Sequence, residues 1–522
     1  MRAGPLVAKA TNDRMSRRLS ASILATSASL AFVCTFAVPL RADAETTLTV
    51  SQGVDVGTLD PLRRTITPTT NADIQMFDTL LRHDANGKLV PELALSYRRI
   101  APTVWEFKLR KGVKFWNGDP LTSADVKFTV EKIKDPAELS EQVPRVNTIA
   151  RVETPDPYTV RYVTTRAVAV MPGNPWQVFI VDAKYWQAHG DAYQVEHPMG
   201  SGPFVFTSWR KDEALEMAAN PAFWHGKPSF DRLIFKPIPE AASRVAALRT
   251  GETDIITNVP AQYQLQLVGG RNTRLTSARS DRVLYIGFNL TKPGPQNNKL
   301  VRQAFNYAID KKALVNGVLG GRGFVIATPL PPNFVGYDAA IPAYDYDPAK
   351  AKALLAKAGF PGGKGLEFTI NAPTGRYNKD KELGEAIAGQ LAAIGVKADA
   401  RIQEWGTYFT QVGQRALAPA YMLGWGNDSF DADNTLTSLL STGARLSPYS
   451  NPELDKLIES ARFELDSKKR DAIYAKALTI VREEAPWIFL FQYEDLYATT
   501  KRVHWQARPD ELIFCEDVRV DS

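Results

Sequence analysis

Two cysteines in 522 residues leave this chain almost nothing covalent to fold around. Cys34 sits in an apolar N-terminal run and Cys515 lies near the other end. Without an internal disulfide the fold must be held by buried apolar surface, so the hydrophobic pattern decides the architecture. At 44% hydrophobic and 23% charged residues, the chain can supply two to three domains with substantial cores.

The N-terminal run has a readable order. Arg14, Arg17 and Arg18 precede a mostly apolar stretch from Ala21 to Leu40, and Ala42-Asp-Ala44 follows. A basic region, an apolar region and small residues at the cut are the parts of a secretory signal peptide, here residues 1–44 with cleavage after Ala44. Interspersed Ser and Thr, with Pro39 and Arg41, leave the apolar core short for a membrane anchor. Cys34, in Ala-Phe-Val-Cys, poorly matches a bacterial lipidation box, so a freely soluble periplasmic protein is expected. The formal charge of +6 is mostly leader. Residues 1–44 carry six of the 63 basic and two of the 57 acidic residues, and the remainder is close to neutral. No basic stripe interleaved with aromatics remains, which argues against nucleic acid as a partner.

From Thr47 onward, strand and helix signals alternate. Thr47–Ser51 alternates like a strand, residues 73–82 have helical spacing, and His83–Lys88 is an Asn-Gly turn. Val104–Leu109 and Val113–Trp116 read as strands, and Thr122-Ser-Ala-Asp125 is a capping box opening a helix. Residues 144–240 read as short strands with Pro-rich turns. A strand at Leu233–Phe235, a helix at Ala241–Thr250 ended by Gly251 and a strand at Ile255 predict a partly parallel sheet. Strands follow at 284–289, 366–371, 396–402 and 487–491, with helices opened by Asn298, Asp347-Pro348 and Asn451-Pro452 and another at 380–394. The fold class is α/β.

Catalytic and metal motifs are missing. There is no C-x-x-C, H-E-x-x-H, Walker loop or G-x-G-x-x-G opening a helix. The five histidines are scattered, and Asp431-Ala-Asp433 lacks the glycine and glutamate of a calcium loop. Gly200-Ser-Gly lacks the G-x-S-x-G elbow and reads as a turn. No cofactor or metal is expected, and an enzyme is the minor reading. The stretch that stands out is Tyr421-Met-Leu-Gly-Trp-Gly-Asn-Asp428-Ser-Phe-Asp431-Ala-Asp433. Gly424 and Gly426 beside Trp425 let backbone approach a ligand, or let the chain pass where a side chain would clash. An aromatic plate beside the Asp428 carboxylate suits a small amine-bearing molecule, while an acidic surface loop remains the alternative.

Several blocks, in order along the chain, resemble the extracytoplasmic solute-binding proteins of the peptide/nickel/opine type that serve ABC importers. They include Thr58-Leu-Asp-Pro61, Phe107-Lys-Leu-Arg-Lys-Gly-Val-Lys-Phe-Trp-Asn-Gly118, Ala124-Asp-Val-Lys-Phe128, Gly200-Ser-Gly-Pro-Phe204, Val301-Arg-Gln-Ala-Phe-Asn-Tyr-Ala-Ile-Asp310 and Trp425-Gly-Asn-Asp428. The resemblance implies a two-lobed periplasmic binding protein fold with mixed sheets, a hinge between lobes and an extra inserted domain. The first lobe would be 45–77 with 197–290 and 492–522, the inserted domain 78–196 and the second lobe 291–491. It implies a generally monomeric protein that captures a small peptide in the cleft and delivers it to an ABC permease with its ATPase subunits. Alternatives within the fold are an opine, another amine-bearing solute or a metal chelate; an exported hydrolase is the alternative outside it. In peptide binders of this type the aspartate of a W-x-x-D block meets the ligand's α-amino group, a position that falls on Asp428 here. Arg376 is the candidate for the ligand carboxylate, by its bidentate geometry, and Trp405 for a side-chain pocket. The leader reading has a direct check: N-terminal sequencing of exported protein should begin at Glu45, and a retained or lipid-modified Cys34 would contradict it.

Overall fold

The apolar runs gather into two large buried clusters and a small third one. The first takes residues between Val283 and Tyr493; the second takes residues from Leu48 to Ile255 and from Val503 to Val518. A third, smaller cluster joins Val245–Leu267 to Leu496 and Ala498. The structure, a computed structural model, describes residues 45–63, 66–85, 87–332 and 334–521. The signal-peptide expectation therefore falls outside the described residues.

An eleven-stranded mixed sheet runs through these clusters. In chain order its strands are β1 (Thr47–Gln52), β2 (Phe204–Arg210), β3 (Ala214–Ala219), β4 (Arg232–Pro237), β5 (Ile255–Ile256), β6 (Thr273–Phe288), β7 (Gly323–Val325), β8 (Glu367–Thr374), β9 (Lys397–Glu404), β10 (Ala420–Trp425) and β11 (Trp487–Thr500). They lie side by side as β9-β8-β10-β6-β11-β5-β1-β4-β3-β2, with β7 pairing β11 off this path. β1 is parallel to both β4 and β5, as the strand–helix–strand reading at 233–256 predicts, and β8 is parallel to β9 and β10. A separate antiparallel sheet of four strands, Ala94–Ala101, Val104–Leu109, Thr159–Thr164 and Ile149–Asp156, packs its apolar side into the second cluster.

β6 and β11 are the longest strands, of 16 and 14 residues, and their antiparallel ladder runs from the first large cluster into the small third one. Their pairing is regular from Thr273↔Thr500 to Arg279↔Glu494, then resumes at Val283↔Gln492. Ser280, Asp281 and Arg282 are thus extruded opposite Tyr493 alone. Bulges of this kind re-aim side chains out of the ladder.

Local capping chemistry is where the sequence predicted it. Thr122 and Asp125 form a reciprocal capping box on helix Ser123–Lys134, Asp347 caps Pro348–Lys357 with proline in its first turn, and Gly251 ends Ala241–Thr250 at φ 81°. Two expectations shift. The helix expected over 73–82 is Thr67–Met76, and Leu81–His83 is a strand paired with Leu89–Pro91. Pro68 starts this helix early, and its polar residues are buried rather than wet. Asn71 and Gln75 bond the backbone at Ile513 and Cys515, so no amphipathic stripe marks it. Val113–Trp116 makes only the single bridge Lys114↔Pro120, because a tight turn at Gly118 leaves no room for a ladder.

Gly200-Ser-Gly202 is a site of close backbone packing. A Cβ on Gly200 would lie 1.8 Å from the Met76 carbonyl oxygen, and the Gly202 N–H donates to that same oxygen at 2.9 Å. Ser201 donates its hydroxyl to Asp78 at 2.6 Å, a buried contact that fits the turn reading. Cys515 is free and buried, and burial pushes its thiol well above the ordinary range. Gly200→Ala should lower stability by about 1–3 kcal/mol through forced backbone displacement, measurable as a fall in the urea midpoint at unchanged slope. An unchanged midpoint would mean this contact is looser than it looks.

Candidate functional site

The bulge in β6 builds one wall of a cavity. Arg282, extruded there, donates Nε to Glu511 Oε1 (2.7 Å) and Nη2 to Glu511 Oε2 (2.8 Å). It also donates to the Gly424 carbonyl (3.0 Å) and to Thr67 Oγ1 (2.7 Å). Four chain segments meet on this one guanidinium. Burial alone would lower its proton affinity, but the Glu511 carboxylate outweighs that and holds the group raised. Its neighbour Asp281 is fully buried, with Oδ1 unpartnered, and burial drives its carboxyl well up, towards the neutral acid.

Arg376 projects from the turn between β8 and helix Asp380–Ala393. Asp380 holds that turn by accepting backbone N–H bonds from Gly375 (3.3 Å), Arg376 (2.9 Å) and Tyr377 (2.9 Å). Burial raises the Asp380 carboxyl to about 6 in spite of those donors. The Arg376 side chain is 6% exposed and lies near Tyr377 (4.9 Å) and Trp405 (5.5 Å). Its polar contacts are sparse. Nη2 makes one long bond to Thr67 Oγ1 (3.4 Å), Nε has none, and no carboxylate lies within ion-pair distance among the described residues. Burial, then the Arg282 charge, lowers its affinity for its proton. A buried guanidinium without an anion is costly unless something supplies one.

The third wall is the end of β10. Trp425 is half-buried there and donates Nε1 to Asn434 Oδ1 (3.2 Å). The flanking glycines face protein: a Cβ on Gly424 would sit 2.7 Å from the Tyr377 ring, and one on Gly426 would sit 2.9 Å from Arg282 Nη2. They serve the second of the two uses expected of them, passage where a side chain would clash. Asp428 reaches the cavity but is not open. Arg145, from the one-turn helix Val143–Val146, donates Nη2 to Oδ2 (2.8 Å) and Nη1 to Oδ1 (3.4 Å), and Nη2 also reaches Gln177 Oε1 (2.5 Å). Asp431 caps helix Ala432–Leu439 and pairs with Arg470 (2.7 Å); Asp433 pairs with Arg462 (2.8 Å). Asp433 is buried and Asp431 half-buried, each tied to an arginine rather than displayed on a surface loop, and they fix the loop that carries Asp428.

The walls line a partly open cavity that includes Arg376, Trp405, Gly424, Trp425, Gly426 and Asp428. All six residues singled out from sequence line it. Trp405 also packs against Phe409 (4.9 Å) and edge-on to Tyr377 (5.8 Å), so pocket and packing roles coincide. Four polar residues went unread in the sequence: Thr67, Arg145, Arg282 and Glu511. None sits in a spacing pattern, and the charged triplet Ser280-Asp-Arg ahead of an apolar strand is the one faint signal. Among the described residues no three His, Cys, Asp or Glu side chains are grouped to hold a metal ion, and no helix is long and apolar enough to cross a membrane.

Residues 88–446 match the model of the bacterial extracellular solute-binding proteins, family 5 (middle region). The chain is 32% identical to heme-binding protein A of Haemophilus influenzae, over 74% of this chain and 75% of that one. It is 32% identical to di/tripeptide-binding protein 1 of Pseudomonas aeruginosa, over 86% and 89% of the two chains. The structure superposes on the ABC transporter-associated periplasmic binding protein DppA of Helicobacter pylori, solved with peptide STSA, at a TM-score of 0.84. That match has 27% identity and covers 92% of this chain and 99% of that one. The fold is the two-lobed periplasmic binding protein fold.

Asp380 acts on the cavity through Arg376. Burial raises the Asp380 carboxyl, so it takes up its proton more readily in the folded turn than in an unfolded chain, and its contribution to stability grows as pH drops from 6 towards 4. Urea unfolding at pH 7.5, 6 and 4, with Asp380→Asn alongside, checks this: the wild type should gain stability relative to the variant as pH falls through that window. A wild-type-minus-variant difference that stays constant from pH 7.5 to 4 would refute it.

Proposed function

Because the chain belongs to the bacterial extracellular solute-binding proteins of family 5, we propose that its cavity captures a small peptide or peptide-like solute. The protein then hands that solute to the membrane permease of an ABC importer, powered by the permease's ATPase subunits. It works as an exported monomer after loss of residues 1–44 and performs no chemistry on its cargo. The first lobe comprises 45–77, 197–290 and 492–522, with 78–196 inserted in it, and the second comprises 291–491. The lobes close about the ligand by bending where the chain crosses between them. The di/tripeptide-binding relative and the peptide-bound structural neighbour support a peptide cargo.

The observation that carries this reading is the buried, unpaired guanidinium of Arg376 in the cavity wall. A ligand carboxylate meets its open donors with charge-assisted bonds, in a desolvated site where such bonds are strong. Trp405 and Trp425 offer apolar faces to side chains, Gly424 and Gly426 let the strand end pass Tyr377 and Arg282, and Asp428 with Arg145 forms a polar wall. Peptide backbone is otherwise held by main-chain bonds that are not specific to side chains, which suits a carrier of mixed peptides.

The test is to denature purified protein and identify the released solute by mass spectrometry. Peptides of a few residues are expected; a heme, a nickel chelate or a sugar conjugate instead would overturn the peptide reading. Arg376→Met should weaken peptide binding by about 2–4 kcal/mol. The same substitution should leave the melting temperature equal or higher, because it replaces an uncompensated buried charge by apolar bulk. Retained affinity would remove Arg376 from the site.

A further inference from the structure

Three carboxylates lining the cavity are already paired with arginines. Asp428 is held in a two-pronged grip by Arg145, Glu141 by Arg445 (2.6 Å), and Asp510 by Arg508 (2.6 Å). Glu511, just behind the wall, is held by Arg282. Asp281 is buried beside Glu511, and its environment favours the uncharged acid. Arg376 is the lining charge left without a counter-ion among the described residues. The cavity therefore presents one unpaired positive charge at Arg376, and its one acid outside an ion pair, Asp281, is buried at 3% exposure beside the Arg282–Glu511 pair.

From this charge arrangement we infer that the cavity reads the acid end of its ligand and ignores the amine end, so its substrate class extends to N-acylated amino acids and peptides. The inference rests on the peptide reading above and narrows it. An incoming ammonium has nothing to gain at Asp428. It would exchange a planar fork making two bonds for a single point charge, and it would strand Arg145, whose side chain is only 8% exposed. Swapping one cation for another in the same desolvated place gives no differential affinity, and specificity is a difference of affinities. At Arg376 the sign is opposite. An anion arriving there fills unmet donors and neutralises a charge that nothing else in the cavity neutralises. Arg145 is thus a specificity-determining residue: it occupies the carboxylate that would otherwise demand a free amine.

Pooled tripeptides in four forms test this by native mass spectrometry and titration calorimetry on the wild-type protein: free, N-acetylated, C-amidated and doubly blocked. The N-acetylated pool should bind within about threefold of the free pool, while amidation should cost at least tenfold, with or without the acetyl group. Loss of binding on acetylation comparable to that on amidation would overturn the inference and leave the peptide reading standing. Failure of all four pools would defeat the peptide reading, and this inference with it. The Arg145→Gln variant gives a second arm. With Asp428 released, the free pool should become favoured over the acetylated pool by at least tenfold, and equal binding of the two would overturn the role given to Arg145. Should the variant fail to fold, the wild-type comparison decides alone.

Discussion

The site depends on one buried ion pair, Arg282 with Glu511. A guanidinium and a carboxylate out of water are each expensive, and they persist together because the geometry satisfies nearly every donor. Arg282 also ties Thr67 of the first helix to the carbonyl of Gly424 at the end of β10. Its place in the bulge of β6 is what makes this reach possible, since a regular strand would have aimed it into the ladder. The C-terminal segment, the first helix and the Trp425 strand are therefore held in register by one side chain. The cavity lies against that knot.

A second consequence concerns charge. With Glu511 consumed by Arg282, the neighbouring Arg376 is left without an acid of its own, and its distance from neutrality becomes the main electrostatic fact of the cavity. Asp380 spends its carboxylate on backbone amides rather than on that guanidinium, which keeps the turn ordered and the charge available. Binding sites commonly carry such stored cost, paid back only when the ligand arrives.

Much of this was legible in the residues. The α/β alternation, the caps at Thr122, Asp347 and Asn451 and the parallel pairing around β1 follow from local chemistry acting within a few residues. The block from Tyr421 to Asp433 could be picked out as the end of a buried strand leading to a cavity, because apolar residues, glycines and acids change over so abruptly there. What could not be read was pairing at a distance. Asp428 looked like an open anion, and nothing in its own stretch reveals that Arg145 faces it from 283 positions away. The helix at Thr67–Met76 was hidden for a related reason: its polar face is satisfied by the C-terminal segment, so burial left no stripe. Arg282 escaped notice because a bulge has no side-chain signature.

One incidental property of the chain matters for anyone wishing to watch it work. Cys515 is fully buried and burial raises its thiol well above the ordinary range, so the folded body from Glu45 onward offers no native thiol to thiol-reactive dyes. A cysteine introduced on the rim of the cleft would thus be the single exposed thiol among the described residues, without any background substitution there. An environment-sensitive fluorophore placed there would turn lobe closure into an optical signal. The covalent poverty that forces this fold to rely on its cores also makes it a ready scaffold for a reagentless sensor.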